Sequence, residues 1–206
     1  KETTVNLMET HLNKNSFSEE IANSITHGIG VILAIAALGI LTAYASRFGN
    51  AWHIVSVSVY ATTLILLYSA STLYHSTQNP RRKRVFQKLD HAAIYILIAG
   101  TYTPFTLVNL RGSWGCSLFG AMWGLAVIGV VCRLTLTGRW RWLSFGLYVG
   151  MGWSVMVAFK PLIASVATGG VVLLLLGGVA YTAGILFYGW KRLKYHHAIW
   201  HVFVLT

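Results

Sequence analysis

"RRKRVFQKLDHAAIYILIAGTYTPF" (81–105) sets five basic residues ahead of a long apolar run that opens with Asp90. Charge followed by hydrocarbon is the pattern of a helix entering a bilayer from a basic loop. Asp90 is also the only acidic residue after Glu20, with His91 beside it. A chain that has otherwise shed its carboxylates keeps one at the mouth of a membrane-like segment.

The composition points the same way. Of 206 residues, 55% are hydrophobic and only 10% are charged. Soluble domains carry about 25% charged residues. The fold class expected is therefore all-α and polytopic, a bundle of roughly seven spans of about 20 residues each. The formal net charge of +11 does not indicate a nucleic-acid partner. The basic residues sit in short gaps between apolar runs, where they read as topology signals and as contacts for anionic lipid head groups. Cys116 and Cys132 stand at opposite ends of one run, about 24 Å apart on a helix, which excludes a disulfide between them. No cleavable signal sequence is visible, because the first sixteen residues are polar and the first apolar run is long enough to span.

The apolar runs are 27–46, 53–75, 90–109, 115–132, 142–159 and 168–190, with a last one from 196 onward. Two regions follow: a cytoplasmic segment 1–26 with an interfacial helix, and a seven-helix transmembrane domain 27–206. The last run reaches Thr206 after about 16 Å of helix, half a bilayer, so the seventh helix is expected to be truncated here. Gly28, Gly30, Gly177 and Gly178 suit close helix contact in lipid. Pro104 should kink the third span. Ser16 and Glu19 have capping-box spacing, which predicts a helix start at Ser16. Glu20, Asn23 and His27 then share one helical face, as a wet polar stripe or as part of a site.

The gaps assign an orientation. Lys1, Lys14, Arg81, Arg82, Lys83, Arg84, Lys88, Arg133, Arg139, Arg141, Lys191, Arg192 and Lys194 fall on one side. Arg47, Arg111 and Lys160 fall on the other. The positive-inside rule puts the larger set, with the N-terminus, in the cytoplasm. Seven spans then carry the C-terminus out.

On that topology the polar residues converge. The second span ends "SASTLYH", leaving His75 near the cytoplasmic face with Ser71 one turn deeper on the same side. Asp90 opens the third span. His197 and His201 open the seventh, one turn apart, and His27 opens the first. Ionisable groups at this depth usually face a bundle interior. Two histidines at i and i+4 plus one from another helix make a three-histidine metal site, and a carboxylate nearby can bond a water there. Each residue also has a plain alternative. His75 suits a membrane interface, pairs spaced like His197 and His201 also occur by chance, and Asp90 suits pairing with the cations of its own loop. His91 and His196 are rotated about 100° from their neighbours and read as outer or surface residues. His11 reads as solvated, and His53 lies on the opposite side of the membrane.

"EEIANSITHGIG" (19–30), "ASTLYHS" (70–76), "KLDHAAIYILIAGTYTPF" (88–105) and "YHHAIWHVFVL" (195–205) together resemble the hemolysin III family. These are bacterial relatives of the adiponectin and progestin receptors, in a superfamily that includes the alkaline ceramidases. The resemblance covers nearly the whole chain from Glu19. It implies a seven-helix bundle with zinc near the cytoplasmic face of the bacterial inner membrane. It implies His75, His197 and His201 as zinc ligands, Asp90 on a water at the metal, and Ser71 beside the ligands. Glu20, Asn23 and His27 match a further signature to which the resemblance gives no role. The polar segment before Glu19 is not the large soluble region of the eukaryotic receptors, so receptor function does not carry over.

Three functions fit: a zinc-dependent hydrolase of lipid amides or esters linked to lipid homeostasis, a non-enzymatic sensor of membrane state with structural zinc, and a lytic or ion-conducting protein. Membrane lipids are substrate or ligand in the first two. The orientation carries its own test. A reporter active only in the periplasm, fused after Lys83, is expected to be silent, and a cytoplasmic reporter at the same site to be active. The reverse pattern would overturn the assignment.

Overall fold

A computed structural model describes the backbone of residues 2–135 and 141–206, and the side chains of residues 17–135 and 143–206. Every regular element among them is helical: α1 (Glu2–Phe48), α2 (Ala51–Ser76), α3 (Pro80–Pro104), α4 (Ser113–Thr135), α5 (Arg141–Trp153), α6 (Phe159–Ser165), α7 (Thr168–Gly189) and α8 (His196–Leu205). Among the described residues, six stretches are long and apolar enough to span a bilayer: Phe17–Phe48, Ala51–Ser76, Pro80–Asn109, Ser113–Thr135, Leu143–Ser165 and Thr168–Gly189. The seventh expected run is the short α8. The chain is an all-α, polytopic membrane bundle.

Several boundaries differ from the expected ones, each for a local reason. The first helix does not start at Ser16. It begins at Glu2 and runs unbroken through residue 27, so Ser16 lies inside it. The gap before the third span is mostly helix. The Asn79 side chain accepts from the backbone N–H groups of Arg81 and Arg82, and Pro80 fills the first helical position, where its missing N–H costs nothing. Asp90 is therefore inside α3 rather than at its mouth. Arg133 likewise falls within α4.

Pro104 marks a change of helix type. The five residues Phe105–Asn109 continue α3 as a wider π turn, and the Leu110 N–H reaches back to the Phe105 carbonyl at 2.8 Å. The fifth span is composite. A 3₁₀ segment, Ser154–Ala158, joins α5 to α6 and carries the span on to Ser165, taking Lys160 into the helix. Such a break leaves backbone groups unpaired in hydrocarbon unless a neighbour serves them. Tyr102 does so: its hydroxyl donates to the Met151 carbonyl at 2.8 Å and accepts from the Val155 N–H at 2.7 Å.

The helices form a ring in which α1 meets α2 and α8, α2 meets α3, α3 meets α4, and α7 meets α8. One core gathers Tyr95, Ala99 and Tyr102 of α3 with Met122 and Ala126 of α4 and Met151 of α5. A second gathers Ala34, Leu67, Tyr68 and Ala93 from α1, α2 and α3. Of the glycines singled out for close contact, Gly30 is tightly packed, since a Cβ there would meet Tyr68 and Leu205. Gly28 and Gly178 have only ordinary contacts, and Gly177 faces open space. The tight approach of α2 to α3 falls instead at Gly100, where a Cβ would collide with the branched side chain of Thr63.

Gly100→Ala is therefore expected to lower unfolding stability in detergent by about 1–3 kcal/mol, as overpacking does. Gly120→Ala, which meets nothing within 4 Å, should not. Adding Thr63→Ala to the Gly100 variant should recover most of the loss in a thermal melt.

Candidate metal centre

The convergence expected at one end of the bundle is present. His75 lies in the last turn of α2, and His197 and His201 lie one turn apart on α8. One ligand atom from each of the three lies within 4.8 Å of the other two. The ring centroids are 4.9 Å apart for His75 and His197, 5.2 Å for His75 and His201, and 4.6 Å for His197 and His201. His75 and His201 are only 3% and 2% exposed; His197 is half-buried.

The ring protons of two of the three imidazoles are accounted for away from the cluster. His75 Nδ1–H donates to Glu20 Oε2 at 2.9 Å. His201 Nδ1–H donates to the Asn23 carbonyl at 3.2 Å, with Thr26 Oγ1 at 3.1 Å. The Thr26 hydroxyl itself donates to the Ala22 and Asn23 carbonyls, so toward His201 it acts as an acceptor. A neutral imidazole has one proton, so both rings keep a bare Nε2 for the cluster. His75 Nε2 is buried and has no protein partner. Two bare nitrogens converging with the His197 ring are what a cation satisfies, and a set of three histidines suits a transition metal. The residues fit a metal ion.

Ser71 is fully buried one turn below His75, and Asp90 is 8% exposed. Ser71, His75 and Arg133 are the electrostatic neighbours of the Asp90 carboxylate. The Ser71 hydroxyl faces that carboxylate but falls short of hydrogen-bond geometry. Three of the five loop cations that could have paired with it are engaged elsewhere. Lys83 pairs with Glu20 at 3.0 Å, Lys88 Nζ donates to the Leu134 carbonyl at 3.0 Å, and Arg84 Nε donates to the Pro80 carbonyl. The structure thus brings His75, His197, His201, Asp90 and Ser71 to one end of the bundle.

It also brings in α1. The ring of His27 stacks on His201, centroids 3.5 Å apart and planes 11° off parallel, with both its nitrogens buried and unpartnered. Asn23 Nδ2 lies 3.4 Å from His75 Nδ1, which already donates to Glu20. Turning the amide over makes the buried, otherwise unpartnered Asn23 Oδ1 a second acceptor for that proton. Four contributors were not among the expected site residues. Thr26 sits under His201, Lys83 holds Glu20, and Arg133 reaches toward Asp90 from α4. Glu19 Oε1 accepts from the Tyr195 N–H at 3.1 Å, in the turn that launches α8. The helical-face spacing could have found Thr26, but nothing in one sequence announces the other three.

The remaining histidines are not part of the three-histidine cluster, though His91 adjoins Asp90. His91 Nδ1–H donates to the Gln87 carbonyl at 2.7 Å and lies 3.6 Å from Asp90 Oδ2. The His196 ring is 6.2 Å from that of His197. His53 caps the start of α2 with Asn50. The side chain of His11 lies outside the described residues.

A polytopic helical membrane protein with a buried histidine cluster at one end of its bundle is the class these features define. The chain belongs to the haemolysin-III-related family, whose model matches residues 15–206. It is 48% identical over 190 residues to the "Hemolysin-3 homolog" of Bacillus subtilis, covering 92% of this chain and 89% of that one. To "Hemolysin-3" of Bacillus cereus it is 48% identical over 187 residues, covering 91% and 85%. The human "Monocyte to macrophage differentiation factor" is a more distant relative, 25% identical over 194 residues, covering 91% and 79%. No solved structure matches.

His75→Ala and His201→Ala should each cut the transition metal retained by the purified chain from about one ion to a small fraction of that. His53→Ala should retain it in full. Elemental analysis of the three variants beside the wild type checks the ligand set.

Proposed function

We propose that the chain is a zinc-dependent hydrolase of amide or ester bonds in membrane lipids. In this reading the metal end of the bundle faces the cytoplasm and the C-terminal helix runs outward. One observation carries it: a buried carboxylate, Asp90, and a buried hydroxyl, Ser71, beside three convergent histidines. A structural clasp needs the histidines but has no use for an expensive buried acid that is not a ligand.

His75, His197 and His201 would hold the ion, and zinc bound there would supply a Lewis acid for a carbonyl and lower the pKa of a water toward neutrality. Asp90 takes a proton from the attacking water on a carboxylate oxygen. It then returns that proton to the leaving nitrogen or oxygen as the bond to the carbonyl carbon breaks. The products are a carboxylic acid and an amine or alcohol. Ser71 Oγ–H donates toward the negative charge that grows on the carbonyl oxygen. Arg133 supplies the counter-charge for Asp90. The apolar walls of α2, α3 and α7 keep bulk water away. Acyl carbonyls of lipids lie where hydrocarbon meets head group, which is the depth of these residues near the span ends. The exposed Arg81, Arg82, Lys191 and Arg192 suit anionic head groups.

One observation favours a second reading, a membrane-state sensor with structural zinc. The cluster is closed: Ser71, His75 and His201 are almost wholly inaccessible. The names of the Bacillus relatives suggest a third, a lytic or ion-conducting protein. Against that reading, the buried hydroxyls away from the metal end serve their own helices. Ser56, Thr63, Thr103 and Thr106 donate to the carbonyls of His53, Tyr60, Ala99 and Tyr102. These side chains are also almost wholly inaccessible, so they line no open water path.

Asp90→Asn is expected to lower hydrolysis by about 10²–10⁴-fold, the range for loss of a general base, while leaving zinc content near wild type. The measurement is lipid mass analysis of cells expressing wild type, Asp90→Asn and His75→Ala, with purified protein on a panel of acyl-amide and ester lipids. Identical profiles for all three, with no fatty acid released in vitro, would leave the sensor as the better reading.

A further inference from the structure

The face Glu20-x-x-Asn23-x-x-Thr26-His27 supplies none of the three ligands, yet it touches two of them. We propose that this stretch of α1 is the outer half of the metal centre. Glu20 is its positioning residue, fixing His75 with the proton on Nδ1 and the bare Nε2 toward the ion. The proposal rests on the metal-site reading above and assigns a role to residues outside it.

The geometry separates this role from a plain surface ion pair. A glutamate serving only Lys83 would extend toward water, where such a pair contributes little. Glu20 instead turns inward, and a single oxygen, Oε2, serves both partners: His75 Nδ1 at 2.9 Å and Lys83 Nζ at 3.0 Å. The ammonium of α3 thus pins the carboxylate of α1 against the imidazole of α2. An anionic acceptor on Nδ1 does two things for a ligand. It fixes the tautomer and the ring angle, and it pushes electron density toward Nε2, making that nitrogen a stronger donor. His201 is held by the same helix in another way. The Asn23 carbonyl takes its Nδ1 proton, Thr26 Oγ1 lies beside it, and the His27 ring covers its face. One face of α1 therefore orients ligands from both α2 and α8, which do not follow one another in the chain.

The test is metal affinity of the full chain in detergent, by competition with a chromophoric chelator at neutral pH. Glu20→Ala should bind zinc about 10–100-fold more weakly than wild type, the usual cost of losing such a partner. Glu20→Gln keeps an acceptor oxygen but not the charge, so it should fall between the two. Lys83→Met, which frees the carboxylate without removing it, should show the smallest loss. Cobalt substitution supplies a readout that a merely structural glutamate would not move. If Glu20 sets the donor strength of His75, the visible cobalt band shifts in Glu20→Gln while circular dichroism does not. Should Glu20→Ala fail to fold, the near-isosteric Gln variant carries both measurements. Wild-type affinity and an unmoved band in Glu20→Gln would overturn the positioning role and leave the metal site standing. Absence of stoichiometric metal from the wild type would remove the site and this role together.

Discussion

Hydrocarbon offers no hydrogen bonds, and the hydrogen bond from His75 Nδ1 to Glu20 shows how this bundle answers that constraint. A buried imidazole needs an acceptor for its one proton and something for its lone pair. The acceptor comes from α1, and the lone pair is turned toward two more imidazoles. The same logic runs through the rest of the structure. Tyr102 serves the backbone groups freed by the 3₁₀ segment, Tyr148 donates to the His91 carbonyl at 2.9 Å, and buried threonines bond carbonyls one turn back. Among the described residues, the buried side-chain atoms without a protein partner are His75 Nε2, Ser71 Oγ, both His27 nitrogens, Asn23 Oδ1, Arg133 Nε and His196 Nδ1, and five of these seven belong to the histidine cluster and the α1 face against it. Unmet hydrogen-bonding capacity collected in one place is what a ligand can satisfy, and the three close histidines could hold a metal ion.

Much of this was legible in the residues, because membrane spans write themselves in long apolar runs. The class, the apolar runs and the layer holding His75, Asp90, His197 and His201 follow from run lengths and from where charge interrupts them, although of the seven expected spans six are long enough to cross among the described residues and the last is the short α8. Helix ends were less legible because capping is local. Asn79 and Pro80 start α3 ten residues before its hydrocarbon run begins, so a basic "loop" is the first turns of a helix. The inner arrangement of the site was least legible. Glu20, Asn23 and His27 share a face by spacing, but spacing does not say whether a face meets water or a neighbour. Arg133 looks like one more topology cation until the fold swings it toward Asp90. Lys83 is one of four consecutive basic residues, and only the crossing of α1 and α3 singles it out.

The least regular piece of chain near the site is the turn before α8, and it explains how a short helix can present two histidines at fixed angles. Tyr195 takes a left-handed backbone, φ 59°, which is unfavourable for a side chain of its size. Its N–H donates to Glu19, next to the glutamate that holds His75, so adjacent residues of α1 secure the entry to α8 and the ligand on α2. From there α8 is clamped along its length. The Tyr68 hydroxyl donates to the Val204 carbonyl, and Gly30 lets Leu205 approach α1. On the other side Gly184 of α7 leaves room for Trp200 and Phe203. An isolated helix of this length is not stable in itself. Its conformation is imposed by α1 and α7, and α1 is also the helix that orients His75. The three histidines can therefore act as one site only while α1 keeps its register against both α2 and α8.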